Sequence, residues 1–229
     1  MSTPARWLEA MGAPAALVAA VPDDLEVAWD GLERADWLVW IAGAASVSLD
    51  EALRVLSGLL AEALVEVPQA ETIVMGALET AEACVRREAT RADCQAKATV
   101  AEAAAREAPA SFRDAPPKAY CELAEGAARV ARAAEAIMSA RLRDEAAQME
   151  RARDSAAYLG VGVDIFARRA DPPARFDVER IGHPIHAELL FVVASLAEAA
   201  RMLEQARAIL GQPTGAALAN ELRGRFREL

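Results

Sequence analysis

The chain has 229 residues, enough for one domain with a substantial hydrophobic core or for two small ones. Its 57 alanines and its small aromatic share, 5% of the residues, favour helices and argue against a β-sheet fold. The net charge of −10, with no visible basic stripe, argues against nucleic-acid binding. The sequence also contains no long uncharged run of the kind that predicts a membrane-spanning helix.

Short helices are expected at the amino terminus, because prolines interrupt the chain there. Asp23 or Asp24 is expected to cap a longer helix that runs to about Ala42, since a side-chain oxygen at a cap accepts a free backbone N–H. Three of the four tryptophans fall within this helix: Trp29, Trp37 and Trp40. Their spacing follows the helical period, so the sequence predicts that they share one face.

Two further helical segments follow before a proline-rich loop. The first is expected over residues 49–67, and a longer one over 69–108, which a polar stretch near Thr90 can interrupt. Residues 109–118 contain three prolines, a composition typical of a loop.

Long helices are expected on either side of one long loop in the carboxy-terminal part. Residues 119–159 form one helix or two, because no helix breaker divides them. Residues 160–182 are expected to be a mobile loop that precedes a carboxy-terminal pair of helices. The first of that pair is expected over 184–210, and the second begins near Thr214 and is expected to lie on the surface.

Alanines recur at helical spacing, as in Ala127, Ala131 and Ala134. Such faces let helix axes approach closely, because the distance between axes depends on the side chains at the contact. We therefore predict a single all-α domain over residues 1–229, built as an alanine-rich multi-helix bundle or as a short stack of helical pairs. The same faces also suit self-association into a homo-oligomer.

No catalytic or phosphate-binding motif is recognisable in the sequence. His183 and His186 are the one histidine pair, and a metal site would need further donors at suitable spacing. The three cysteines lack Cys-x-x-Cys spacing and are expected to be buried free thiols: Cys84, Cys94 and Cys121. We therefore predict no catalytic residue, no metal and no cofactor.

The tryptophan segment has two interpretations. In the first, the tryptophans fill the core between the first helices, with Asp36 pairing or capping nearby. In the second, one of them, such as Trp29, is an exposed interface anchor, because tryptophan is enriched in binding hot spots. The first interpretation is preferred, and it moves a contact surface to the acidic helix faces or to residues 160–182.

The tryptophan segment also resembles a known family through the run Asp36-Trp37-Leu38-Val39-Trp40-Ile41-Ala42, preceded by Ala28-Trp29. It is similar to the Imm-5-like immunity proteins of bacterial polymorphic toxin systems, in which alanine- and arginine-rich helices follow. The likeness covers about residues 25–140, and the part after Gly160 does not align. It implies a helical protein that neutralises a toxin by binding it, without catalysis. The family-motif residues, for which a structural role is expected, are Trp29, Asp36, Trp37 and Trp40.

Three functions are open at this point. The first is a cytoplasmic bacterial immunity protein whose partner is a cognate toxin, bound through an acidic or aromatic helical surface. The second is a structural or regulatory helical scaffold, which would have the same composition. The third is a metal- or thiol-dependent enzyme that uses His183, His186 or a cysteine. Neither nucleic acid nor a membrane is an expected partner.

Overall fold

A computed structural model describes residues 4–44, 48–107, 117–159 and 184–227. Over these residues the chain forms ten α-helices and two short 3-10 helices, and the same residues contain no strand. The predicted all-α fold is confirmed. The α-helices are α1 (Pro4–Ala10), α2 (Ala15–Ala20), α3 (Leu25–Gly31), α4 (Ala35–Ala44), α5 (Leu49–Ala63), α6 (Glu71–Val85), α7 (Arg91–Arg106), α8 (Pro117–Leu159), α9 (Pro184–Ile209) and α10 (Ala216–Arg227), and the 3-10 helices are Leu64–Glu66 and Pro68–Ala70.

The expected continuous helix from residue 23 or 24 to Ala42 is wrong, because two helices occupy that stretch. Asp24 begins α3 as predicted, accepting the backbone N–H groups of Glu26 and Val27 at 2.8 and 3.3 Å. The helix ends at Gly31, after which Leu32 is extended with φ −78° and ψ 131°. A new helix, α4, then starts at Ala35. The break separates Trp29 from the other two tryptophans.

The predicted interruption near Thr90 divides α6 from α7. Thr90 accepts the backbone N–H of Asp93 at 3.2 Å, and the Asp93 carboxylate accepts the backbone N–H of Thr90 at 2.9 Å. This reciprocal pair satisfies two donors that the first turn of a helix leaves free. Arg87, in the connecting turn, has a φ of 65°.

The long helix α8 is continuous and lies at the centre of the described fold, in contact with α5, α6, α7 and α9. It runs antiparallel to α9: Arg143 pairs with Glu188 at 3.0 Å, whereas the Gly126 end of α8 faces Met202. Since Glu188 lies about one turn after the start of α9, the final turns of α8 extend past that start.

Small residues allow these helices to pack closely. Ala127, Ala131 and Ala134 of α8 are fully buried, as expected from their spacing. A Cβ at Gly126 would lie 3.0 Å from a methyl of Leu60, and one at Gly43 of α4 would lie 2.8 Å from a methyl of Val193. Both positions are therefore points at which the axes approach more closely than a larger side chain permits.

The sequence predicts that the last helix, α10, lies on the surface, but one side of this helix is buried. Its buried residues include Leu218, Leu222 and the charged Arg223. One contiguous hydrophobic core receives side chains from all ten α-helices, from Leu8 in α1 to Leu222 in α10. The expected mobile loop over 160–182 lies outside the described residues.

Candidate functional site

The tryptophans at positions 29, 37 and 40 occupy different environments. Trp40 in α4 is 6% exposed and belongs to the core. Trp29 in α3 is partly buried, and its ring centroid lies 5.8 Å from that of Phe226 in α10, with the rings tilted by 57°. Trp37 is also partly buried against the core. None of the three side chains is fully exposed, so this geometry does not support an exposed aromatic anchor.

Asp36 is a buried carboxylate with a defined cationic partner. Its two oxygens accept hydrogen bonds from Nε and Nη2 of Arg34 at 3.0 and 2.7 Å. The Arg34 guanidinium also lies over the Trp37 ring, 4.6 Å from its centroid. The hydrogen bond from Arg34 to Asp36 raises the pKa of the Arg34 guanidinium. The three residues pack together at the start of α4. Arg34 donates hydrogen bonds to Asp36 and stacks on Trp37, so the buried carboxylate has a partner.

Arg223 fixes α10 against the end of α3. Its Nε donates to the carbonyl oxygen of Trp29 at 2.6 Å, and its Nη2 donates to the carbonyl of Leu32. These are carbonyls that the end of a helix leaves without an internal partner. Burial lowers the pKa of the Arg223 guanidinium. The buried arginine therefore sets the position of α3 and of the acidic residues that α3 carries.

The net charge of the protein is confined to its amino-terminal part. Residues 1–90 contain 15 acidic and 5 basic side chains, whereas residues 91–229 contain 20 of each. The whole charge of −10 thus belongs to the first 90 residues. Eleven of those fifteen acidic residues are exposed in the structure. The surface of α1–α6 is therefore strongly negative, and that of the remaining helices is balanced.

One part of this negative surface is the outer side of α3. Glu26, Val27 and Asp30 follow one another at intervals of one and three residues, which places them on one helical face, and Asp23 lies just before the helix. All four are exposed, and Val27 is 58% exposed. Glu33, just after the helix, is exposed as well.

A second part lies at the end of α5. Glu62 and Glu66 flank Val65, which at 78% is the most exposed large hydrophobic residue described. The helix α10 bridges the two parts, because its Arg225 pairs with Glu62 and its Arg227 pairs with Asp30 at 3.1 Å. We call the exposed acids of both parts the acidic face: Asp23, Glu26, Asp30, Glu33, Glu62 and Glu66.

The carboxylates of the acidic face differ in their basic neighbours: Asp30 and Glu62 form ion pairs, and Glu33 lies within electrostatic range of Arg223. Within the described ranges, no ion pair engages Asp23, Glu26, Glu33 or Glu66. Exposed charges of this kind cost little to solvate and are available to a cationic partner. An exposed valine within each part adds apolar area among the carboxylates. The face is thus suited to association with a basic surface.

The residues considered for metal or thiol chemistry do not converge within the described part of the chain. No group of three or more His, Cys, Asp or Glu side chains there is placed to hold a metal ion. His183 lies outside the described residues, and His186 lies in α9, where its side chain is not described. Cys84 and Cys94 are buried, Cys121 is half-buried, and none of these three described cysteines forms a disulfide.

None of the helices among the described residues has the length and apolarity that a membrane crossing would need. Comparison of the chain with protein-family models, curated proteins and solved structures finds no match.

The sequence predicts acidic helix faces as a contact surface without indicating which helices carry them. The distribution of charge along the sequence contains this information. The net charge of residues 1–90 differs clearly from that of the remaining residues. That α3, α10 and the end of α5 lie together could not be read from the sequence. It depends on contacts such as Arg223 with Trp29, whose residues are far apart in the chain.

Proposed function

We propose that this chain is a non-catalytic binding protein, an immunity protein that neutralises a cognate bacterial toxin by direct contact. The observation that carries the proposal is the confinement of the whole net charge to residues 1–90, mostly on exposed side chains. The resemblance of the tryptophan segment to Imm-5-like immunity proteins supports the toxin as the kind of partner.

The acidic face is the proposed contact surface. A negative surface increases the rate of encounter with a basic protein and disfavours nucleic acids, which carry the same sign of charge. Val27 and Val65 supply apolar contacts that can exclude water from the centre of each part. The anchoring of α3 by Arg223 holds its carboxylates in place before the partner arrives, which lowers the entropy cost of binding.

Co-expression tests this function. The toxin candidate is the product of the gene beside this one, expressed alone and together with this chain in a sensitive bacterial host. The proposal predicts that the toxin alone arrests growth and that this chain restores it, with the two proteins purifying as a complex. A toxic neighbour that still kills in the presence of the folded chain would contradict the proposal.

A scaffold function is favoured by a different observation, the exposed apolar residues of α8. Leu142 and Met149 are each 51% exposed and are seven residues apart, so they lie on one face of the helix. A scaffold would use this face to hold a partner. Replacing both residues by serine should then abolish the complex, whereas charge reversal on the acidic face should leave it intact.

The enzyme hypothesis is tested separately, through His186 and bound metal. Elemental analysis of the purified chain tests whether it binds a metal. Growth rescue by a His186→Ala variant tests whether the function needs His186. Absence of metal and full rescue are the results that our proposal predicts.

A further inference from the structure

The turn between α6 and α7 brings two thiols together inside the fold. Cys84 lies in the last turn of α6 and Cys94 in the first turns of α7, and both side chains are 0% exposed. The chain between them is short, and Arg86, Arg87, Glu88 and Thr90 within it are exposed.

Each sulfur lies beside the carbonyl oxygen of the residue four positions before the other cysteine. Cys84 Sγ is 3.8 Å from the carbonyl oxygen of Thr90, the same oxygen that accepts the backbone N–H of Cys94 at 3.2 Å. Cys94 Sγ is 3.6 Å from the carbonyl oxygen of Thr80, one helical turn before Cys84 in α6. Each thiol also perturbs the pKa of the other. Cys84 therefore points toward the start of α7 and Cys94 points toward α6, so the two thiols face each other between the helices.

We propose that Cys84 and Cys94 are a reversible dithiol–disulfide pair, which a low-molecular-weight disulfide oxidises to a covalent link between α6 and α7. The inference is independent of the toxin-binding function. It concerns a modification of the fold, at residues that the acidic face does not include.

The exchange balances with oxidised glutathione as the disulfide. The Cys84 thiolate attacks one glutathione sulfur, forming a mixed disulfide and releasing one glutathione thiolate. The Cys94 thiolate then attacks Cys84 Sγ, which forms the internal disulfide and releases the second glutathione. The protein loses two protons and two electrons, and one oxidised glutathione becomes two reduced molecules.

The surroundings make Cys84 the first nucleophile. The hydrogen bond with Cys94 lowers the pKa of the Cys84 thiol, whereas the same bond, together with burial, raises the pKa of the Cys94 thiol. Burial and the charges of Asp93 and Glu135 oppose this lowering of the Cys84 pKa, whereas the positive charge of Arg141, whose Nη1 donates to the carbonyl of Val85 at 2.9 Å, supports it. Because both thiols are buried, the reagent enters when the exposed turn over residues 86–90 opens.

Peptide mapping of the native protein tests the pair. The folded chain is equilibrated with oxidised glutathione, quenched by alkylation in denaturant and digested. The expected product is a peptide pair linked through Cys84 and Cys94, lighter by two hydrogens than the reduced peptides, with Cys121 alkylated. The linked protein should melt about 5 °C above the reduced form, since the disulfide restricts the unfolded chain.

Three serine variants serve as controls. Cys121→Ser removes the half-buried thiol of α8 and should leave the linked product unchanged, whereas Cys84→Ser and Cys94→Ser should abolish it. Full alkylation of Cys84 and Cys94 after equilibration of the wild-type chain would overturn the proposal, as would a link to Cys121 or to a second chain. The wild-type map decides the matter even if a serine variant fails to fold.

Discussion

The protein is divided into two regions that differ in both charge and packing. Residues 1–90 carry the net charge of −10 and all four tryptophans, and their first helices have ten residues or fewer. The region after residue 90 is balanced in charge and contains the longest helices, α8 and α9. The buried residues of α8 are largely alanines.

This difference shows that the two regions obtain stability in different ways. Short helices are marginal on their own, so α1–α4 depend on burying large side chains. Long alanine-rich helices instead gain from close axial approach and intrinsic propensity. The first region should therefore be most sensitive to truncation of a side chain, and the second to its enlargement.

The largest effect is expected from truncation in the first region. Leu38 in α4 is fully buried, and Leu38→Ala removes apolar contacts and leaves a cavity. The free energy of unfolding should fall by about 3 kcal/mol in urea titrations. A loss of less than about 1 kcal/mol would show that the site collapses around the smaller side chain.

The next effect is expected from enlargement in the second region. Ala131 in α8 is fully buried, and Ala131→Leu inserts a side chain where the neighbouring helices leave no space. The expected loss is about 2 kcal/mol, measured by urea titration. Ala146→Leu is the matched control, because Ala146 is exposed on the same helix and its replacement should change stability little. Equal effects at the two positions would contradict the close-packing account.

Removal of the link between the two regions should have a comparable or slightly smaller effect. Arg223→Met keeps much of the apolar volume but deprives the carbonyls of Trp29 and Leu32 of their donor. The expected cost is about 1 to 2 kcal/mol. Arg227→Met is the control: its pair with Asp30 has both side chains about two-thirds exposed and should contribute little. An unchanged free energy of unfolding in Arg223→Met would show that water replaces the guanidinium.

The smallest effect concerns the ion pair between α7 and α8. Arg132 donates to both oxygens of Glu102, at 2.9 and 3.2 Å, and this hydrogen bonding lowers the pKa of Glu102 from its ordinary 4.5. The stability that the Glu102 carboxylate contributes is complete above its pKa in the unfolded chain. This stability is lost as the pH falls through its pKa in the folded protein. Glu102→Gln should therefore reduce stability near neutral pH, by less than about 1 kcal/mol, and flatten the loss below about pH 4.5. Unfolding free energies for this variant and for Glu107→Gln, at an exposed site, provide the comparison.

The fold class and most helix positions followed from the sequence, since alanine content and helical spacing act locally. The break between α3 and α4 was missed because residues 32–34 contain no proline or glycine, and Gly31 was assigned to a helix interior. The buried side of α10 was missed because its arginines suggested a solvated helix. Arg223 is buried only because distant carbonyls receive its hydrogen bonds, a relation that local patterns do not encode.

The rate of association with the proposed toxin partner, measured against salt concentration, tests the central claim most directly. Asp23→Lys with Glu66→Lys reverses one charge on each part of the acidic face, and Glu107→Lys with Glu150→Lys makes the same charge change at exposed sites after residue 90. The account predicts an association rate about tenfold lower at low salt for the first variant, and a much smaller change for the second. Equal rates for the two variants, or no dependence on salt, would contradict it.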